Sequence, residues 1–430
     1  MRQLALLAVL VTGQAAADPP ATTTTTKPAA DLAALLARTN AVAKEVAKVR
    51  GLPLKHAIPN EVVDKDELRA RLVKQASEAK TIAQTTADAL AFKRWGLIPL
   101  AMDYPQLLLD LLTEQIAGYY DPETKKLTLS KSAGDDPAWA EMVLAHELDH
   151  GLQDQSFDLH KFEDVPDTEG DSGVARHALV EGDGIALMIE VMLGRTHSPV
   201  PWSNPQAADM IGKAMSTPGN GDGLDKAPLV IRESMVFPYR AGLAFVAALR
   251  RRQAWTAVDA AFAHPPRSTE QIMHPERYVA DDPPVPVKLG IPAALPGYAI
   301  ASSTVWGELG FDLFLRSHHV DEAVASVAAA GWGGDRAIIL THDGDTAPEH
   351  AVGIVHLVWD SEADAIEATE AAARALDDTI VGGAAERSQT HTRWVGLDGR
   401  ISWIERRGPS LVMVIGAPPS AANALAAELH

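Results

Sequence analysis

The sequence predicts an α+β protein in which a helix-rich part with a small edge sheet is followed by a second α+β part with an antiparallel sheet. Three observations carry this. Apolar residues recur at helical spacing through residues 31–95 and again over residues 137–192. Residues 118–129 read as strand, turn and strand, with Asp121-Pro122 starting the turn. Beyond a proline-rich stretch, helical periodicity alternates with short β-branched runs, and Asp398-Gly399 between two such runs is a two-residue hairpin signal.

The chain opens with the charged Met1-Arg2-Gln3, runs apolar over residues 4–11 and reaches Ala15-Ala16-Ala17 before Asp18. This is the pattern of a secretory signal peptide over residues 1–17. Its apolar run is far short of the ~20 residues that span a bilayer. The expectation is an exported chain, periplasmic or secreted, with no membrane insertion after signal cleavage. Residues 18–30, with five consecutive threonines flanked by prolines, cannot bury a core and read as a flexible linker. Residues 31–95 alternate Ala, Leu and Val with Lys, Arg and Glu, which predicts an N-terminal helical region of two or three helices broken at 51–59. Residues 96–281 carry the motifs. Five prolines among residues 282–296 make a stiff connector over 282–297 that neither a helix nor a central strand tolerates. Residues 298–430 form the C-terminal α+β domain, with helices at 303–317, 320–330 and 361–375 and strands at 337–341, 352–359, 392–396, 401–405 and 411–415. His318-His319 and His342 lack ligand spacing there and are assigned to surface or turn positions.

A formal charge of −19 argues against nucleic acid or an anionic membrane as partner. The absence of cysteine excludes disulfides and thiolate metal sites, so any metal must be held by His, Asp or Glu.

His146-Glu147-Leu148-Asp149-His150 supplies such ligands. The two histidines are four residues apart, so at 3.6 residues per turn both imidazoles lie on one helical face within reach of one ion. Glu147 lies about 100° round from His146 and borders that site without being a ligand, where a base can take a proton from an attacking water. The helix start is well specified: Asp136 suits the cap, Pro137 the first helical position, and Glu141 the positive end of the helix dipole. Trp139, Met142, Val143, His146 and His150 form one stripe and Leu144, Leu148 and Leu152 another, so this helix is expected to be central and buried.

A catalytic zinc takes three protein ligands. Gln153 and Ser156 stand where a metzincin would need Gly and His, which removes that source of the third. On a second helix, expected from about Asp171, the residues Val174, Ala178, Glu181, Ile185, Met188 and Met192 recur at helical spacing. A carboxylate inside an apolar stripe is costly unless it is paired or coordinates a metal. Glu181 is therefore the expected third ligand, with His177 one turn earlier as its rival.

His146, Glu147, His150 and the downstream Glu181 resemble a gluzincin, the thermolysin-like branch of zinc peptidases. The strings AHELDHGLQDQSFDL and HALVEGDGIAL resemble a group of exported bacterial proteins carrying HELxHxLQDQ and ALVEGDA. The resemblance implies a zincin-like domain over 96–281, bound Zn2+ and hydrolysis of a polypeptide substrate. The chain departs from it at Ile185, where thermolysin-like enzymes place an aspartate that orients a histidine. Asp183 and Asp154 are the candidates for that role, and Asp149 either raises the basicity of the histidines or faces solvent. In gluzincins an edge strand before the active-site helix pairs with the substrate backbone, a role open to the 118–129 hairpin. An oxyanion donor is also needed. The candidates are His274 and Tyr278, from the polar stretch 265–278, and Tyr239, from Phe237-Pro238-Tyr239 at a helix start. The alternative expectation is a zincin scaffold that no longer cuts, a binding or envelope-assembly protein with a structural zinc.

Overall fold

The structure, a computed structural model, describes residues 7–10, 28–215, 223–380 and 384–429. Of the expected signal peptide only a strand, β1 (Leu7–Leu10), is described, and the rest of residues 1–17 lies outside the described residues. The expected linker is described from Pro28, where it already begins α1 (Pro28–Ala37). The N-terminal region continues with α2 (Thr39–Arg50), β2 (Asn60–Val63), α3 (Lys65–Ala76) and α4 (Ala79–Arg94). It therefore holds four helices rather than two or three, and a strand that helical periodicity did not suggest. Gly51 stops α2 in the left-handed conformation, at φ 81°, and Asp64 caps α3 through the Glu67 N–H.

After α5 (Tyr104–Gln115) comes the expected hairpin, β3 (Ile116–Asp121) and β4 (Lys126–Ser130). The small sheet has the order β1-β3-β4-β2, with β1 and β4 antiparallel to β3 and β2 parallel to β4. The motif helix α6 (Pro137–Phe157) follows directly. Asp136 caps it by accepting from the N–H groups of Ala138 and Trp139, with Pro137 in its first turn. A short α7 (Leu159–Phe162) leads to α8 (Gly170–Arg195), α9 (Pro205–Met215), α10 (Gly223–Lys226) and α11 (Leu229–Arg252). Pro238 was expected near a helix start, but it lies inside α11. The missing N–H costs the helix one bond, and burial of Val236 and Phe237 in the core that α11 shares with α8 outweighs it. Three short helices close this part: α12 (Thr256–Ala263), α13 (Thr269–Met273) and α14 (Pro275–Val279).

The proline-rich connector has no regular structure, yet it is tied down: the Val285 N–H donates to the Gly333 carbonyl, and Leu295 is buried under the C-terminal sheet. That sheet contains β5 (Tyr298–Thr304), β6 (Trp332–His342), β7 (Val352–Trp359), β8 (Ala384–Arg387), β9 (His391–Val395), β10 (Ile401–Arg407) and β11 (Ser410–Ala417). Its order is β5-β6-β7-β11-β10-β9-β8, with every neighbouring pair antiparallel. The helices are α15 (Gly307–Ser317), α16 (Glu322–Ala329), α17 (Glu362–Thr379) and α18 (Ala422–Glu428). The architecture is α+β with an antiparallel C-terminal sheet. Ser303 and Thr304, expected to open a helix, instead end β5, and α15 begins only at Gly307, whose φ of 73° no β-branched residue adopts comfortably.

The N-terminal helices divide between two cores. Val42 and Val46 of α2 join α6, α8 and α11, while Leu90 and Trp95 pack into the C-terminal core with Trp332 and Phe314. His318 serves that second contact. Expected at a surface or turn position, it lies in the turn after α15 but is buried, with Nε2 2.9 Å from the Trp95 carbonyl and Nδ1 2.9 Å from the Thr379 hydroxyl. Among the described residues no helix is long and apolar enough to cross a membrane.

Candidate metal centre

Two helices build the site. α6 is buried along most of its length, and His146, Glu147 and His150 are all fully buried. α8 crosses it and delivers Glu181, also fully buried. Two glycines just after Glu181, Gly182 and Gly184, allow this approach. A Cβ on Gly184 would lie 2.7 Å from Cε1 of His146, and one on Gly182 would overlap the Gly242 carbonyl of α11. Glycine inside a helix costs roughly 1 kcal/mol relative to alanine. Here it lets one helix touch an imidazole on one side and a neighbouring backbone on the other.

Nε2 of His146 lies 2.9 Å from Nε2 of His150 and 3.0 Å from Oε2 of Glu181, while His150 Nε2 is 3.5 Å from the same oxygen. Three ligands held 2.0–2.1 Å from a tetrahedral ion stand roughly 3.3 Å apart, and the observed edges bracket that spacing. The three side chains can hold a metal ion, and they form the one such group among the described residues. Electrostatics point the same way. Burial works against charge on both imidazoles and holds His146 down, with His150 beside it adding to the effect. At His150 the same burial is outweighed by Glu181, with Glu147 and Gln153 contributing, and its pKa is pushed up to about 10. Burial would raise Glu181, but the neighbouring His150, His146 and His177 hold it far below the usual carboxylate range. The cluster keeps an ionised carboxylate against a shared positive charge.

Gln153 decides which nitrogen of His150 is free. Its Nε2 is 3.0 Å from Oδ2 of Asp149, 3.0 Å from Oδ2 of Asp183 and 3.2 Å from the Val180 carbonyl, all acceptors. Its Oε1 therefore faces Nδ1 of His150, at 2.9 Å, and accepts that proton. With Nδ1–H committed, Nε2 is the nitrogen that can give up its proton and offer its lone pair to a metal. Asp183 in turn accepts from Nε of Arg50 at 2.8 Å, and Arg50 also donates to Asp259 at 2.7 Å and stacks over Trp255. Arg50, from α2, is fully buried. Burial opposes its charge, but Asp183 and Asp149 hold the guanidinium ionised. Asp149 is buried rather than solvent-facing, and burial together with Asp183 raises its pKa strongly.

The other expected residues separate into two sets. Tyr239 reaches the site: its ring is 6.4 Å from that of His146, and it hydrogen-bonds the Glu181 carboxylate. Burial, then Glu181 and Glu147, push its hydroxyl pKa well up, so it stays a proton donor. His177 is not one of the three converging donors. Its Nδ1 meets Glu163 at 2.8 Å and its Nε2 is 3.6 Å from Oε1 of Glu181, which makes it a supporting residue at the partly exposed margin. His274 is placed elsewhere, with Nε2 2.9 Å from Glu308 and Nδ1 3.8 Å from Glu276. Tyr278 donates to the His264 carbonyl, also away from it. Asp183 acts on the histidines through Gln153, whereas Asp154 accepts from Tyr120 and Lys125 and ties α6 to the hairpin. Sequence reasoning missed Gln153 and Arg50. Helical spacing held a signal for the first, since residue 153 is one turn after His150 on the motif helix. Nothing local identified the second, 133 residues from its partner.

Residues 298–426, from β5 into α18, match the model of a family described as a domain of unknown function (DUF8575). No curated protein and no solved structure matches the chain.

Proposed function

We propose that the chain is an exported zinc metallopeptidase of the gluzincin type, with Zn2+ held by His146, His150 and Glu181. The observation that carries this reading is the buried triangle of two imidazole nitrogens and a carboxylate oxygen, with Glu147 on the same helix and Tyr239 beside it. Two imidazoles and one carboxylate suit zinc, whereas calcium and magnesium favour sets made of oxygen alone. When bound, zinc supplies a Lewis acid that polarises a carbonyl and brings the pKa of a water towards about 7. The protein's own residues do the rest. Glu147 accepts the proton of the attacking water and passes it to the departing amine. Gln153 keeps Nε2 of His150 available, and the Tyr239 hydroxyl donates to the oxyanion. The substrate class is a polypeptide. Residues Leu7–Leu10 pair antiparallel with β3, as a substrate strand does in β-augmentation, and removal of the expected leader leaves that edge to a peptide.

Digestion of a peptide library tests the proposal. Glu147→Gln is expected to retain the metal and to lose about 10²–10⁴-fold of turnover. Unchanged cleavage by that variant sinks the mechanism.

One observation favours a second reading. All three ligand residues and Glu147 are fully buried, which leaves a polypeptide no exposed side chain of the cluster to approach. On that reading the chain is a binding or envelope-assembly scaffold, and the wild type holds zinc while cleaving no peptide in the library.

A further inference from the structure

The C-terminal end of α4 meets the C-terminal sheet across a cavity of about 490 Å³, remote in the fold from the metal-ligand cluster. Residues 93–100 form one wall, and the turn joining β9 to β10, with the end of β11, forms the other. Ile98, Leu100, Leu397 and Ile415 make much of the lining apolar. Leu100 and Leu397 are exposed, at 56% and 83%, so the cavity opens to solvent on an apolar rim.

Arg94 is the unusual member. Its Nε is buried without a hydrogen-bond partner, and among the described residues no hydrogen bond or ion pair within 4 Å engages its guanidinium. The group rests against Gly416, where φ is 71° and a Cβ would overlap the guanidinium. Arg400, its cationic neighbour, is already engaged: NH1 donates to the Gly416 carbonyl at 2.6 Å, and Nε is 4.0 Å from Asp398. Lys93, Arg94 and Arg400 stand against Glu349 and Asp398 in the lining, which leaves one positive charge over. Burial first, and then Arg400, bring the pKa of Arg94 down to about 10. Arg94 is partly buried, with Asp398 and Glu349 near it but neither in direct ion pairing, and a guanidinium is shaped to take a carboxylate through two parallel hydrogen bonds.

We propose that this cavity binds an organic monocarboxylate, its carboxylate on the Arg94 guanidinium and its apolar body against Ile98, Leu100 and Leu397. A single surplus charge suits a monoanion better than a phosphate dianion, and an apolar lining with one convergent charged group is the usual form of a small-ligand site.

The test titrates the full chain with hexanoate, hexanamide and inorganic phosphate, following binding by calorimetry and Tm by thermal unfolding. Hexanoate binds and raises Tm, while hexanamide and phosphate bind at least about tenfold more weakly, the cost of losing a charged hydrogen-bonded pair. Arg94→Gln loses about tenfold or more of the hexanoate affinity, yet its Tm without ligand is no lower than that of the wild type, because a partly buried charge without a direct ion pair has gone. Leu397→Asp, on the exposed rim, weakens hexanoate by a similar factor with Tm unchanged and gives an answer if Arg94→Gln fails to fold. A leucine-ending tripeptide with a free C-terminus, compared with its amide, separates a peptide end from a free acid as the source of the carboxylate. Failure of both hexanoate and the tripeptide to bind overturns the proposal. So does hexanoate affinity unchanged in both variants.

Discussion

Glu181, in the middle of α8, and Asp171, in its first turn, are buried carboxylates treated in opposite ways. In the middle of the helix, His150, His146 and His177 hold Glu181 ionised against burial, whereas burial raises Asp183 even though Arg50 pairs with it. In its first turn, among the described residues, Asp171 accepts only from the N–H and hydroxyl of Thr269, at 3.1 and 2.6 Å, and has Asp335 and Glu308 as neighbours. Burial dominates there and raises Asp171 strongly. Burial likewise pushes Asp335 up to about 6, against the N–H groups of Trp306 and Gly307, and Glu270 up to about 7, against Arg277. One helix thus maintains an ionised carboxylate in a group that can hold a metal and, ten residues earlier, a junction with the C-terminal sheet and its helices lined by carboxyls that favour their neutral form. The lesson concerns compensation. Burial alone neutralises a carboxylate, and only nearby cations or a metal keep it ionised.

Removing the compensation has the largest expected effect. Arg50→Met leaves Asp183 and Asp259 without their partner and is expected to destabilise the chain by about 3–5 kcal/mol in denaturant unfolding. A loss under about 1 kcal/mol means that Arg50 does not balance the site. Gln153→Leu keeps the volume of the side chain but frees Nδ1 of His150. It is expected to weaken metal affinity by about 10–100-fold in a chelator competition while the fold persists; undiminished affinity contradicts the tautomer argument. The smallest effect belongs to the junction. Because Asp171, Asp335 and Glu270 have raised pKa values in the folded chain, the unfolded chain ionises first as pH rises. Their contribution is fully present only below the ordinary carboxylate values and is lost as pH rises through about 6 for Asp335 and about 7 for Glu270, by up to about 1.4 kcal/mol per pH unit for each group. Asp171→Asn is expected to flatten that slope, and an unaltered slope places the pH dependence elsewhere.

The same contrast explains what the sequence disclosed. The ligand helix was legible because Asp136, Pro137 and the four-residue histidine spacing are local signals, and Glu181 stood out as a carboxylate on an apolar stripe. The hairpin at 118–129 and the strand at 352–359 were legible from turn chemistry and β-branched runs. β2 and β8, of four residues each, carry too short a pattern to read. Arg50 looked like one more basic residue on an amphipathic helix, because its partners come from α8 and α12. His274 has the chemistry of an oxyanion donor, but its position follows from a junction with Glu308 that no spacing encodes.

Metal content tests the central claim most directly. The chain is loaded with zinc, dialysed against metal-free buffer and analysed by elemental analysis, beside Glu181→Gln. One zinc per wild-type chain, with loss of most of it in the variant, is the predicted result. A wild type without zinc, or a variant that retains it in full, contradicts the account.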